Sequence, residues 1–250
     1  ANSYMWTVPD YPGSLCRLRV RSIANDQVLD ISDNAFSISR VQLLSPNGGE
    51  LITSDYSGQS VFPVTWSLAN MSNVKIEYST NGGSNWETVN ASIPAGSGSY
   101  NWAVPGIPTT SAMIRISNVD NSSIADVSET SFTVRNPIRL VTANGGGFAT
   151  NNSLFDIRWV IQDIAGSSTL HWEWSANGSG WTRINSTAVA VTDLSMAWFV
   201  ETGNNPTVWL RAVESGTNRV VGKSEQPFTV TDKFLSIIEP NGGESYRALS

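Results

Sequence analysis

The chain has 250 residues, 40% of them hydrophobic and 14% charged, with no apolar run near the roughly 18 residues of a membrane helix, so no membrane insertion is expected in this segment. Its net charge of −6 argues against nucleic acid, which is bound through a basic face that displaces counterions. A lone cysteine, Cys16, excludes an internal disulfide framework and any cysteine-based zinc cluster.

The first strand-like run, residues 3–9, carries Trp6. The same phase returns at 99–105 with Trp102 and at 195–200 with Trp198, 96 residues on each time. Arg19, Arg115 and Arg211 keep that interval, as do Phe36, Phe132 and Phe228. Three residue types in one register mark a tandem array. Residues 1–39 match only the back half of the repeating unit. Trp6, Leu18, Val20, Phe36 and Ile38 there are core-type residues, whose partner strands would come from preceding chain or from another chain.

The first whole unit, 40–135, shows seven short alternating runs separated by turn residues, the pattern of an antiparallel β-sandwich: 41–44, 61–68, 74–79, 86–89, 99–104, 112–117 and 131–135. Between the third and fourth runs, Asn81-Gly82 offers the positive φ of a tight hairpin. The second whole unit, 136–231, repeats the first with small length changes between strands. Asn144-Gly145-Gly146 follows Asn47-Gly48-Gly49 by 97 residues, Trp159 follows Trp66 by 93 and Trp181 follows Trp86 by 95. A further unit opens in 232–250 at Asn241-Gly242-Gly243. Adjacent units are joined almost strand to strand, and no helix of useful length is expected.

Ser45-Pro46-Asn47-Gly48-Gly49-Glu50, Val64-Thr65-Trp66, the 78–86 hairpin, Tyr100-Asn101-Trp102-Ala103-Val104-Pro105 and Ile114-Arg115-Ile116-Ser117 together resemble a known module type. The unit resembles the immunoglobulin-like repeats of large secreted and cell-surface proteins of bacteria, notably Bacteroidota, and is similar to the Kre9/Knh1-type module. The second unit departs from the pattern, since Ala143-Asn144-Gly145-Gly146-Gly147 lacks the proline and the glutamate. The resemblance implies an all-β fold of tandem immunoglobulin-like, fibronectin III-like antiparallel sandwiches. It also implies a non-enzymatic extracellular or cell-surface role, in an adhesin stalk or filament or appended to a secreted hydrolase.

Most of the ten tryptophans lie in repeat phase on the inward side of an alternation. Trp66, Trp86, Trp102, Trp159, Trp172, Trp174, Trp181 and Trp198 are accordingly expected in the core. Trp209 falls with Arg211 on the face opposite Val208, Leu210 and Ala212 and is expected to be exposed. In an immunoglobulin-type strand order, His171 and Glu173 share that outer face, so Trp209, Arg211, His171 and Glu173 form a candidate binding patch for glycans or proteins. The competing reading makes Glu77 with Arg115 and Glu173 with Arg211 repeated cross-strand ion pairs, worth about 0.2–1 kcal/mol each, with Trp209 covering the Arg211 stem.

One histidine cannot serve a Ser-His-Asp triad in several units, and no Gly-x-Ser-x-Gly elbow, metalloprotease pair or phosphate loop occurs. Catalysis is therefore not expected. Cys16 aligns with Ala112 and Val208 and is expected to be a buried apolar residue. No cofactor is called for. Calcium between units would draw on Asp30, Asp33, Asp120 and Asp126 near predicted loops, though without EF-hand-like spacing. Asn-x-Ser/Thr triplets such as Asn185-Ser186-Thr187 have the form of glycosylation acceptors and matter only in a eukaryotic host. The expected partners are neighbouring modules or copies of the same protein, and surface glycans or proteins.

Overall fold

The structure is a computed structural model that describes residues 3–232. The expected start of a further unit, at 233–250, lies outside the described residues. Among the described residues the regular structure is all strand apart from two single 3-10 turns, Ala95–Ser97 and Val191–Asp193. The described residues divide into two compact units, one of residues 3–52 and 58–135, the other of 53–57 and 136–232.

The first unit opens with β1 (Gly13–Cys16), β2 (Arg19–Arg21), β3 (Leu29–Ile31) and β4 (Phe36–Ile38). Its sandwich follows: β5 (Arg40–Ser45), β6 (Leu51–Thr53), β7 (Val61–Ala69), β8 (Asn73–Ser79), β9 (Glu87–Pro94), β10 (Ser99–Ala103), β11 (Thr109–Asn118), β12 (Ala125–Val127) and β13 (Phe132–Arg135). One sheet has the order β10-β7-β5. The other runs β6-β13-β11-β8-β9, with β12 on β11. The alternation reading expects seven strands here, and the structure adds β6 and β12. Each is three residues long, too short to show a period of two.

In the second unit the strands are β14 (Ile138–Leu140), β15 (Phe148–Thr150), β16 (Ser153–Ile161), β17 (Thr169–Ser175), β18 (Thr182–Arg183), β19 (Val189–Ala190), β20 (Ser195–Val200), β21 (Asn205–Glu214), β22 (Val220–Lys223) and β23 (Phe228–Thr231). Its sheets are β14-β16-β20 and β15-β23-β21-β17-β18, with β19 on β17 and β22 on β21. The pairing is antiparallel, as expected of the sandwich, except at one edge, where the three-residue β15 runs parallel to β23.

The interval of 96 residues in sequence is also an interval of strand register. Gly13 pairs with Ile38 and Cys16 with Phe36. Thr109 pairs with Val134 and Ala112 with Phe132, then Asn205 with Val230 and Val208 with Phe228. The neighbouring ladder repeats in the same way, as Arg19–Ile31, Arg115–Val127 and Arg211–Lys223. Residues 13–38 thus hold the back-half pairing, but without the burial. Trp6 is 39% exposed where Trp102 is 2%, and Val20 is 74% exposed where Ile116 is fully buried. Trp6 packs edge-on against Phe36, with ring centroids 6.1 Å apart. Residues 3–9 form no strand, and Cys16, expected to be buried, is half-buried.

Each sandwich core holds a deeply buried tryptophan on the middle strand of its three-stranded sheet, Trp66 on β7 and Trp159 on β16. Trp66 donates its indole N–H to the Ala95 carbonyl at 3.0 Å, and Trp159 donates to Val191 at 2.8 Å, so the first residue of each 3-10 turn accepts the bond. That bond removes the cost of about 1–3 kcal/mol that a buried, unpaired N–H would carry. A second repeated device is Ser128, whose hydroxyl accepts the Ile114 N–H at 3.0 Å. Ser224 does the same for Leu210 at 3.1 Å.

Candidate functional site

The four expected patch residues come from the two central strands of the larger sheet of the second unit. Antiparallel pairing of β17 with β21 sets Glu173 opposite Arg211, His171 opposite Val213 and Ser175 opposite Trp209. Glu173 Oε2 accepts from Arg211 Nη2 at 2.6 Å and from Nε at 2.7 Å, the two-pronged geometry that favours arginine over lysine. The Arg211 guanidinium lies over the Trp181 ring, 4.3 Å from its centroid. The Lys223 ammonium stands 5.6 Å from Trp181 and 5.1 Å from Trp209. His171 sits at the margin, with Nδ1 3.4 Å from the Asn185 carbonyl oxygen.

Trp209 is half-buried rather than exposed as the alternation predicts. The hairpin after β17 closes over it at Gly178, where an added Cβ would stand 3.6 Å from Trp209 Nε1. The expectation for Trp86 and Trp181 is also corrected. Both are half-buried and carry the guanidiniums of Arg115 and Arg211 on their rings, so they belong to the outer face and not to the core. They sit in hairpin turns just ahead of β9 and β18, where the period of two does not apply. Trp174 is half-buried at the core margin. The structure thus adds Trp181 and Lys223 to the face. The paired recurrence of Trp86 with Arg115 and Trp181 with Arg211 carried a signal for the first. Lys223 had none, because its counterpart 96 residues earlier is Val127.

The first unit carries the same arrangement. Glu77 is bridged by Lys75 at 2.6 Å and Arg115 at 2.8 Å, and Arg115 lies 4.5 Å from the centroid of Trp86. Burial alone would push the Glu77 carboxyl up, but the hydrogen bonds from Lys75 and Arg115 outweigh it and hold the group below the usual carboxylate range. Asp55, fully buried in the second unit, is bound by Arg219 at 2.8 Å and accepts the Ser57 N–H at 2.7 Å. Both carboxylates are paired with cations, and the Glu77–Arg115 pair ties β8 to β11. Of the aspartates that calcium would draw on, Asp126 accepts the Leu43 N–H at 2.8 Å. No group of three or more His, Cys, Asp or Glu side chains gathers among the described residues.

The strand order identifies the architecture: the first, third and sixth strands of the sandwich, β5, β7 and β10, face β9-β8-β11-β13. Both units are immunoglobulin-like sandwiches. Their closest subtype in strand order is fibronectin III-like, with a three-stranded sheet facing a larger one. No protein-family model and no curated protein sequence matches the chain. Among solved structures, fibronectin(III)-like modules of Clostridium thermocellum CbhA align with 79% of this chain and 97% of theirs, at 14% identity and a TM-score of 0.25. A marsupial T cell receptor aligns with 76% of this chain and 71% of its own, at 13% identity and a TM-score of 0.26. Immunoglobulin-like modules are common in extracellular proteins, where they are typically non-catalytic.

Proposed function

We propose that this chain is a repetitive, non-enzymatic spacer segment of an extracellular adhesin-type stalk or filament, built from units of about 96 residues at 40–135 and 136–231. The observation that supports it most is the strand register recurring at 13–38, 109–134 and 205–230. What recurs with it is what a sandwich needs: the buried tryptophan bonded to a 3-10 turn, the serine bridge, and the cation over an aromatic ring. In this reading Glu173, Arg211 and Trp209 are an outer packing belt, with His171 at its rim. The Asn-Gly-Gly-Glu resemblance to repeats of bacterial surface proteins points the same way.

The test is replacement within the full-length protein. Exchanging residues 136–231 for an unrelated sandwich of similar length should preserve surface display and adhesion, while deleting them should reduce adhesion in proportion to the length lost. A loss that the unrelated sandwich does not rescue would contradict the spacer role.

A further inference from the structure

Each sandwich has a cleft in the same place, at the edge where the last strand of the three-stranded sheet passes the hairpin strand of the larger one. In the first unit it has a volume of about 220 Å3 and is walled by Tyr78, Tyr100 and Trp102. In the second, the residues 96 positions on, Trp174, Met196 and Trp198, wall a cleft of about 690 Å3.

The threefold difference has a structural cause. In the first unit β9 is a single strand of eight residues that stays on β8 through two shifts of register. Its counterpart is interrupted, leaving β18 and β19 two residues each with 184–188 bulged between them. The bulge is held in place. The Ile184 N–H donates to the Trp172 carbonyl at 2.8 Å, and Asn185 Oδ1 accepts the Trp172 N–H at 2.7 Å. Asn185 Nδ2 donates to the carbonyls of Thr187 at 2.8 Å and Leu170 at 3.2 Å. One amide side chain thus replaces the missing ladder bonds and holds the cleft open before any ligand arrives. The same bonds mean that the glycosylation-like triplet at Asn185 uses its amide inside the fold.

We infer that this cleft is a binding site for a short neutral saccharide. The half-buried Trp174, stacked 6.4 Å and 30° from the buried Trp198, offers the apolar ring surface on which a pyranose lays its C–H groups. Arg183 and Glu201 line the same cleft, and neither has an ion-pair partner among the described residues. Their guanidinium and carboxylate meet the complementary donors and acceptors of sugar hydroxyls, and their opposite signs give no preference for a charged ligand. The volume falls within the range of about 300–1,000 Å3 usual for small-ligand clefts, which the first unit's cleft does not reach. In that smaller cleft the Tyr78 hydroxyl is buried without a hydrogen-bond partner, and burial, with the nearby Glu87, pushes its pKa up to about 12. This site is separate from the Trp209 face, and the spacer reading stands whether or not it binds.

The experiment is a titration of the whole chain with cellobiose, maltose, lactose, mannobiose and di-N-acetylchitobiose, followed through the tryptophan indole N–H signals in heteronuclear NMR. At least one disaccharide should shift the Trp174 and Trp198 signals saturably below about 10 mM. The double variant Arg183→Ala/Glu201→Ala, which changes only exposed side chains, should weaken that binding about tenfold or more, since hydrogen bonds to charged groups are lost. Trp209→Ala should leave it unchanged. No saturable shift with any of the five sugars, shifts confined to Trp181 and Trp209, or equal affinity in the double variant would each overturn the inference.

Discussion

Leu194 ends the second 3-10 turn at φ 60°, in the left-handed region, and its counterpart 96 residues earlier is Gly98 at φ 66°. Their carbonyls do the same job, accepting the N–H of Trp159 and of Trp66. A side chain in that conformation costs about 1–2 kcal/mol, and Leu194 is 45% exposed, so little packing offsets the strain. Leu194→Gly should therefore stabilise the second sandwich by about 0.5–1 kcal/mol, and Gly98→Leu should destabilise the first by more, as read from urea midpoints. Trp66→Ala should cost about 3–5 kcal/mol through the cavity and the unpaired Ala95 carbonyl; an unchanged melt of the first sandwich would contradict its place in the core. Because the folded-state pKa of Glu77 is depressed, its contribution is complete above the ordinary carboxylate range near ~4.3 and is lost as pH falls through the lowered value. The stability gap between the native chain and Glu77→Gln should accordingly be present at neutral pH and close on acidification. A gap that is constant with pH would dissociate Glu77 from the effect. At this scale the buried tryptophans of the central strands and the Glu–Arg partners were legible, because they follow the period of two. The outer-face place of Trp86 and Trp181 was signalled only by their recurrence with Arg115 and Arg211, since alternation does not reach turn residues, and Lys223 left no signal because it does not repeat.

Among the elements, the loop after the first strand shows what the unit-to-unit differences do. In the first sandwich Glu50 accepts the N–H groups of Asn47 at 2.7 Å and Gly48 at 2.8 Å, closing the Asn-Gly-Gly-Glu turn on itself. Gly48 has φ 128° and lies so close to Thr130 that a Cβ would collide, which is why glycine holds that position. The second unit has Gly147 in place of the glutamate. Its loop edges a cleft of about 360 Å3 that reaches Phe155 and Phe228, whose rings stack 5.6 Å apart. Glu50→Ala should cost about 1–2 kcal/mol and raise amide exchange at Asn47 and Gly48, since two charge-assisted bonds are lost. Unchanged protection at those amides would show that the turn holds without the carboxylate. Long strands and the Asn-Gly hairpin were readable because alternation and turn chemistry are local. The three-residue β6 and β12, the break between β18 and β19 and the parallel β15–β23 pair depend on partners far along the chain.

At the scale of the molecule, the account rests on each sandwich being a copy of one unit with its own buried tryptophan, serine bridge and cation belt, residues 53–57 alone being counted with the second. The repeat was visible in the sequence because phase survives small insertions, whereas Lys223 on the outer face and the width of the edge cleft differ between copies and left no periodic trace. The most direct measurement is single-molecule extension of the chain held at both ends by unrelated marker domains. Two separate unfolding events are predicted, each releasing about 300 Å, the contour length of about 96 residues less the folded span. One event of twice that length, or release in unequal fragments, would contradict the claim that 40–135 and 136–231 are independent copies.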